Sequence, residues 1–169
     1  MRQTWRAFEL VVRWTNVATG YMSAVLIVVS TVAISFEVVA RYFFREPHDW
    51  NLELNIFLLI ASTFMAAAYT QQGRAHVGIE VLDSLLSPQW NRWRHLVADI
   101  LSAVFSGFIA FYAWRYFSEA WEGDWVTDSL WAPKLWIPYF FMSLGMTTLT
   151  LQFIVQIIDD LFGPVVRKE

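Results

Sequence analysis

The sequence predicts an all-α membrane protein with four transmembrane helices. Hydrophobic residues make up 57% of the 169 residues and charged residues only 16%, whereas soluble domains contain about 45–50% apolar and about 25% charged residues. The apolar residues are gathered into four long runs, and most charged residues lie between them. Most Trp residues lie at or beside the ends of these runs, where an indole ring reaches the lipid headgroups. We therefore expect a single integral membrane domain over residues 1–169.

The four apolar runs give the positions of the spans. A helix of about 20 residues crosses the hydrocarbon core, at a rise of about 1.5 Å per residue. The predicted spans cover approximately residues 17–39, 54–69, 96–117 and 135–158.

The N-terminal segment, residues 2–14, carries a polar stripe at helical spacing. Arg2, Arg6, Glu9 and Arg13 are separated by four, three and four positions. Two interpretations remain open: an amphipathic helix on the membrane surface, or a simple extension of the first span.

The connection between the second and third spans predicts a second amphipathic helix, at about residues 77–87. On a helical wheel its apolar residues occupy one side, and Glu80, Asp83, Ser84 and Ser87 occupy the other. Pro88 closes the segment. We expect this short helix to lie parallel to the membrane.

Basic residues near the span ends predict the orientation, because cytoplasmic loops carry more Lys and Arg. The side with the termini and the central loop contains Arg2, Arg6, Arg13, Arg74, Arg92, Arg94, Arg167 and Lys168. The opposite side contains only Arg41, Arg45, Arg115 and Lys134. Both termini are therefore predicted to be cytoplasmic.

Polar positions inside the spans point to helix packing. Ser102, Ser106, Ala110 and Ala113 form a stripe of small residues that permits close approach of another helix. On the fourth span, Gln152 and Gln156 lie one turn apart and can bond to a neighbouring helix, of this chain or of a partner.

The residue pattern favours a chain without cofactor, metal or catalytic activity. His48, His76 and His95 lie in loops or at a span boundary, so no pair of them predicts a haem site. His76 and Glu80 supply only two metal ligands. No phosphate-binding loop, catalytic triad or basic aromatic patch for nucleic acid is present, and the chain contains no Cys.

The charged residues at the span edges are the most informative, because a charge in the membrane is costly unless it is paired. Glu37 and Arg41 lie one helical turn apart. Glu53 begins the second span after a short turn containing Pro47, which puts it within possible reach of Arg41. The cluster is either a docking or coupling site, or a salt bridge that seats the hairpin.

Four motifs follow one another around these spans. Glu37 precedes Arg41-Tyr-Phe-Phe and Pro47; the others are Trp50-Asn-Leu-Glu53-Leu, Arg74-Ala-His76-Val-Gly-Ile-Glu80 and Pro133-Lys-Leu-Trp136-Ile-Pro138-Tyr139. In this order they resemble the small membrane subunit of the tripartite ATP-independent periplasmic (TRAP) transporters. Glu80, where the family often has Asp, and the absence of a Gly in the second span depart from the family pattern.

The resemblance implies a scaffold subunit in a bacterial or archaeal inner membrane. Its partners would be a large membrane transport subunit, a periplasmic substrate-binding protein and membrane lipids. The complex would take up an organic acid with the sodium gradient. The alternative function is a membrane anchor for a respiratory or other membrane enzyme complex.

The resemblance also implies roles for particular residues. Subunit or hairpin-seating contacts are expected from Glu37, Arg41, Trp50, Glu53, Arg74 and His76. Docking of the binding protein is expected from Arg45, Glu46, Asp49, Glu119, Glu122, Asp124 and Asp128. The helix at residues 77–87 would anchor the subunit in the bilayer.

Overall fold

The computed structural model describes residues 2–45, 48–73 and 88–162. Within these ranges it contains four long helices: α1 (Arg2–Val39), α2 (Asp49–Gln72), α3 (Pro88–Glu122) and α4 (Trp136–Phe162). Each is long and apolar enough to cross a membrane. The predicted fold class, an all-α membrane protein with four spans, is confirmed. The amphipathic helix predicted at residues 77–87 falls outside the described residues.

Helix α1 runs without interruption through the N-terminal segment and the first span. The segment at residues 2–14 therefore extends the first span rather than forming a separate surface helix. At about 1.5 Å per residue, its 38 residues measure about 57 Å, nearly twice the hydrocarbon thickness of about 30 Å. One end of α1 must project from the bilayer.

The helices pack in the order α1, α2, α4, α3. Helix α4 packs extensively on α3 and on α2, α2 packs on α1, and α1 makes a smaller contact with α4. Helices α2 and α4 are therefore central and α1 and α3 are lateral. The outward faces of the lateral helices are apolar, as Val25, Val32, Val104 and Phe108 illustrate, each more than half exposed.

The face of α1 that packs on α2 is polar. Asn16, Ser23, Ser30 and Glu37 follow one another at intervals of seven residues and are all buried. A seven-residue spacing keeps side chains on one seam of a packed helix pair. Helix α1 thus directs polar groups inward and apolar groups outward, as helices do in a solvent of hydrocarbon.

Glycines on the neighbouring helices allow close approach to α2. A Cβ at Gly145 would lie 2.4 Å from the backbone oxygen of Phe64, and a Cβ at Gly20 would lie 2.5 Å from the Tyr69 ring. On α2 itself, Ala61 and Ala68 are buried. The close approach to α2 is thus made possible by glycines on α4 and α1.

The predicted small-residue stripe on α3 packs against α4. Ser106, Ala110 and Ala113 are buried, and Thr150 of α4 donates to the Ser106 hydroxyl at 3.0 Å. The stripe brings α3 and α4 close enough for this interhelical bond.

The two glutamines of α4 bond within this chain. Asn16 donates to Gln152 Oε1 at 2.7 Å. Gln71 donates to Gln156 Oε1, and Gln156 donates in return to the Gln71 backbone oxygen, both at 2.8 Å. These bonds join α4 to α1 and α2 at the end of the bundle that carries the termini, here called the terminal end.

Candidate functional site

Glu37 forms the centre of the corner between α1 and α2. Its Oε1 accepts a hydrogen bond from Arg41 Nη2 at 3.1 Å and from the His48 backbone N–H at 3.1 Å. Its Oε2 lies 3.0 Å from His48 Nδ1. Glu37 is buried, with 8% of its surface exposed. One carboxylate therefore joins the end of α1 to the start of α2, and we call these three residues the corner clamp.

A change of helix type positions this clamp. After Val39 the chain forms a π-helical turn, Ala40–Phe44, and Arg45 then adopts a left-handed conformation with φ 58°. His48 is extended and α2 begins at Asp49, whose carboxylate favours a helix N-terminus. Single π-helical turns occur frequently at functional sites, and this one carries Arg41.

A row of amide and hydroxyl groups continues the contact between α1 and α2 toward the membrane interior. Asn51 donates to the Ala33 backbone oxygen at 2.9 Å, and Ser30 donates to Asn55 Oδ1 at 2.7 Å. Asn55 in turn donates to Asn51 Oδ1 at 2.6 Å. Ser23 and Ser62 continue the row. These bonds fix α1 and α2 against each other because hydrocarbon offers no alternative partner.

The predicted approach of Glu53 to Arg41 is wrong. Glu53 Oε2 accepts a hydrogen bond from Ser129 in the α3–α4 loop at 2.7 Å. Ser129 also contacts Thr127 at 3.2 Å and accepts from the Ala132 N–H at 3.1 Å. Glu53 therefore secures the α3–α4 loop, whereas Arg41 bonds to Glu37 of α1.

The remaining predicted contact residues divide into two groups. Trp50 is 37% exposed and packs edge-on against His48, with ring centroids 5.8 Å apart. Its ring thus supports the corner clamp. Arg74 and His76 lie outside the residues whose side chains the structure describes, and so does Glu46, which was predicted as a docking residue.

A cleft of about 990 Å³ opens beside the clamp, between the end of α1 and the start of α2. Its polar mouth includes Arg41, Arg45, His48 and Asp49. Its apolar wall lies on the outer surface of the two helices and is lined by exposed side chains: Ile34, Val38, Leu52, Ile56 and Leu59. The structure thus places Arg45 and Asp49, two predicted docking residues, at this cleft.

The other predicted docking residues lie on or beside the α3–α4 loop. Glu119, Glu122, Asp124 and Asp128 are all exposed. Glu119 lies 3.9 Å from Arg115, and Asp124 is paired with Lys134. Among the described residues neither Glu122 nor Asp128 has an ion-pair partner. These two carboxylates are therefore available to a partner.

The α3–α4 loop has a defined conformation. Val126 and Lys134 form an antiparallel bridge, and the Leu135 N–H donates to the Trp125 backbone oxygen at 2.9 Å. Leu130 lies near the tip and is 90% exposed. The loop thus presents an apolar side chain two positions after the carboxylate of Asp128.

Sequence reasoning missed several residues of this site. His48 was considered only as a metal or haem ligand, and Asn51, Asn55 and Ser129 received no role. Asn51 and Asn55 give a readable signal, because two amides one turn apart in an apolar span require partners. The seven-residue spacing from Asn16 to Glu37 is a second signal.

Comparison with known proteins gives the family. The family model described as Tripartite ATP-independent periplasmic transporters, DctQ component, matches residues 30–163. The chain is also 25% identical over 175 residues to the C4-dicarboxylate TRAP transporter small permease protein DctQ of Vibrio cholerae serotype O1, covering 91% of this chain and 75% of that protein. The chain therefore belongs to the DctQ family of TRAP transporter membrane subunits, and it is a multi-pass membrane protein and not an enzyme.

Proposed function

We propose that this chain is the scaffold subunit of a sodium-coupled transporter for C4-dicarboxylates. The substrate class is that of the C4-dicarboxylate transporter of Vibrio cholerae to which the chain is similar. The chain supports a large transport subunit and helps to dock a periplasmic binding protein. Family membership favours this function over an anchor for a respiratory enzyme complex.

The observation that carries the proposal is that the buried polar groups form hydrogen bonds between helices of this chain. Ser23 donates to the Ser62 backbone oxygen at 2.7 Å, Ser30 bonds to Asn55, and Gln71 bonds to Gln156. A solute path needs polar groups that are free to bind the solute near mid-membrane. These groups instead join helices of the same chain, which suits a fixed support.

The orientation follows from the basic residues of the terminal end. With both termini in the cytoplasm, the corner clamp and the α3–α4 loop face the periplasm of a bacterial or archaeal cell membrane. We call this the periplasmic end. A binding protein therefore meets the corner and the loop first.

The α3–α4 loop is the docking surface that the geometry favours. Glu122 and Asp128 are exposed, and Leu130, two positions after Asp128, is also exposed. A polar rim around an apolar contact is the common composition of a protein interface. The partner surface should be basic around an apolar depression, because opposite charges steer encounter.

Reconstituted transport tests this function. The large subunit is placed in proteoliposomes with or without this chain, and C4-dicarboxylate uptake is measured with binding protein and an inward sodium gradient. We expect uptake only when both membrane subunits are present. Full uptake by the large subunit alone would overturn the proposal, and so would uptake by this chain alone.

A further inference from the structure

We propose that the cleft between α1 and α2 binds a phospholipid from the periplasmic leaflet. The phosphodiester lies on Arg41 and Arg45, and an acyl chain follows the apolar wall toward Leu59. This inference goes beyond the transport function and does not depend on which solute is carried.

The cleft has the two-part chemistry of an amphiphile site. Charged residues occupy its mouth, and the wall below them is formed by aliphatic side chains. From Asp49 to Leu59 the wall follows ten residues of α2, which correspond to about 15 Å of helix. A headgroup at the mouth would therefore place an acyl chain in the hydrocarbon region. A water-soluble solute would lose its hydration in the same place.

Arg41 is suited to a phosphate. It gives one N–H to Glu37, and its side chain remains 67% exposed. A guanidinium carries several further donors in a planar fork that matches phosphate oxygens. Glu37 binds His48 as well as Arg41. The clamp therefore fixes Arg41 through one N–H and leaves most of its side chain exposed.

The other charged groups of the mouth favour a zwitterionic headgroup. Arg45 is exposed and lines the cleft together with Asp49. Two guanidinium groups suit the phosphate, and the Asp49 carboxylate suits an ammonium group. Phosphatidylethanolamine supplies both charges in one headgroup.

A transmembrane helix of the large subunit is the competing occupant. Such a helix would cover the mouth and desolvate Arg41 and Arg45, which is costly for charges without new partners. A lipid leaves both guanidinium groups at headgroup depth. We therefore assign the cleft to the lipid.

Native mass spectrometry of the delipidated full chain, titrated with phosphatidylethanolamine, tests the assignment. The Arg41→Gln/Arg45→Gln variant should bind at least about tenfold more weakly, because it loses charge-assisted bonds to the phosphate. Arg115→Gln is the matched control: Arg115 is 63% exposed and also forms an i,i+4 pair with a glutamate. It should bind like the unmodified chain.

Three further measurements separate the contribution of the headgroup from that of the apolar wall. Ile56→Trp fills the wall without touching the clamp and should also weaken binding, so the test does not rest on the Arg variants alone. Glycerophosphoethanolamine, which has the headgroup without acyl chains, should not bind measurably. Asp49→Asn should weaken phosphatidylethanolamine more than phosphatidylglycerol.

Three results would overturn the proposal. The first is equal lipid binding by the Arg41→Gln/Arg45→Gln variant and the Arg115→Gln control. The second is tight binding of glycerophosphoethanolamine alone. The third is a cross-link between Leu52→Cys and the large subunit in the assembled complex, formed without any loss of bound lipid. Such a cross-link would show that a helix of the large subunit occupies the cleft.

Discussion

Glu37 and His48 are joined across the α1–α2 corner by two contacts, one from the imidazole and one from the backbone N–H. The same carboxylate binds Arg41. The corner is therefore closed by a buried acceptor with three donors from both sides of the turn. This arrangement explains how α2 begins only a few residues after the π-helical turn ends.

Glu37→Gln should lower the thermal unfolding midpoint of the purified chain. A glutamine side chain has a single acceptor oxygen, and its amide N–H groups would face the donors of Arg41 and His48. Glu119→Gln is the control, because Glu119 also forms an i,i+4 pair with an arginine but is exposed. Equal shifts for the two variants would show that the clamp is an ordinary surface ion pair.

Asn55→Leu should reduce the free energy of unfolding by about 1–2 kcal/mol, because it removes more than one hydrogen bond and each interhelical bond in a membrane contributes about 0.6 kcal/mol or more. The substitution removes the acceptor of the Ser30 hydroxyl and the donor to Asn51 Oδ1. Thr63→Val is the control and should change stability by less than about 0.5 kcal/mol, because Thr63 is exposed and bonds only to Leu59 of its own helix. Reversible unfolding in mixed detergent micelles measures both. A stable Asn55→Leu protein would refute the structural role of the amide row.

Gly145→Ala should destabilise the bundle by about 1–3 kcal/mol, the cost of overpacking. The added Cβ would meet the Phe64 backbone, which cannot rotate away as a side chain can. Gly107→Ala is the control, because its Cβ would lie 3.5 Å from Thr150 Cγ2, an ordinary contact. The control should be neutral or gain up to about 1 kcal/mol from helix propensity. The same unfolding assay measures the stability of both variants. Similar losses for the two would contradict the close contact of α2 and α4.

Glu122→Gln/Asp128→Asn should weaken docking of the binding protein to the assembled transporter. The loss should shrink as salt is raised, because exposed charges are screened within about 10 Å at 0.1 M ionic strength. Surface plasmon resonance at several salt concentrations measures the association rate. Glu9→Gln, at the terminal end, should have no effect. A salt-independent loss would show that the loop acts through its shape and not through its charge.

The four helices were predictable from the sequence because each apolar run is long enough to determine a span. The Glu37–Arg41 pair was also predictable, since it needs only helical periodicity. The position of Glu53 was not. Asn51 and Asn55 face α1, so Glu53, two positions from each, points away from α1 and meets Ser129. The approach of the α3–α4 loop to this side of α2 has no signal in the residue types near Glu53.

The packing partners of the polar residues were only partly readable. Gln152 and Gln156 were expected to bond to a helix, but the choice between this chain and a partner depends on the order in which the helices pack. That order follows from close contacts such as Gly145 on Phe64, which residue spacing alone does not assign. The role of His48 required the same knowledge of the corner.

The most direct test of the scaffold claim is to lock α1 to α2 and measure uptake. The chain contains no Cys, so Ser23→Cys and Ser62→Cys create a unique pair at a buried contact between the helices. The pair is cross-linked in the assembled transporter, with each single variant as control. A fixed support predicts that uptake of C4-dicarboxylate continues at the rate of the controls. Loss of uptake that is restored when the cross-link is cleaved would contradict the account, because it would show that the two helices must move relative to each other during transport.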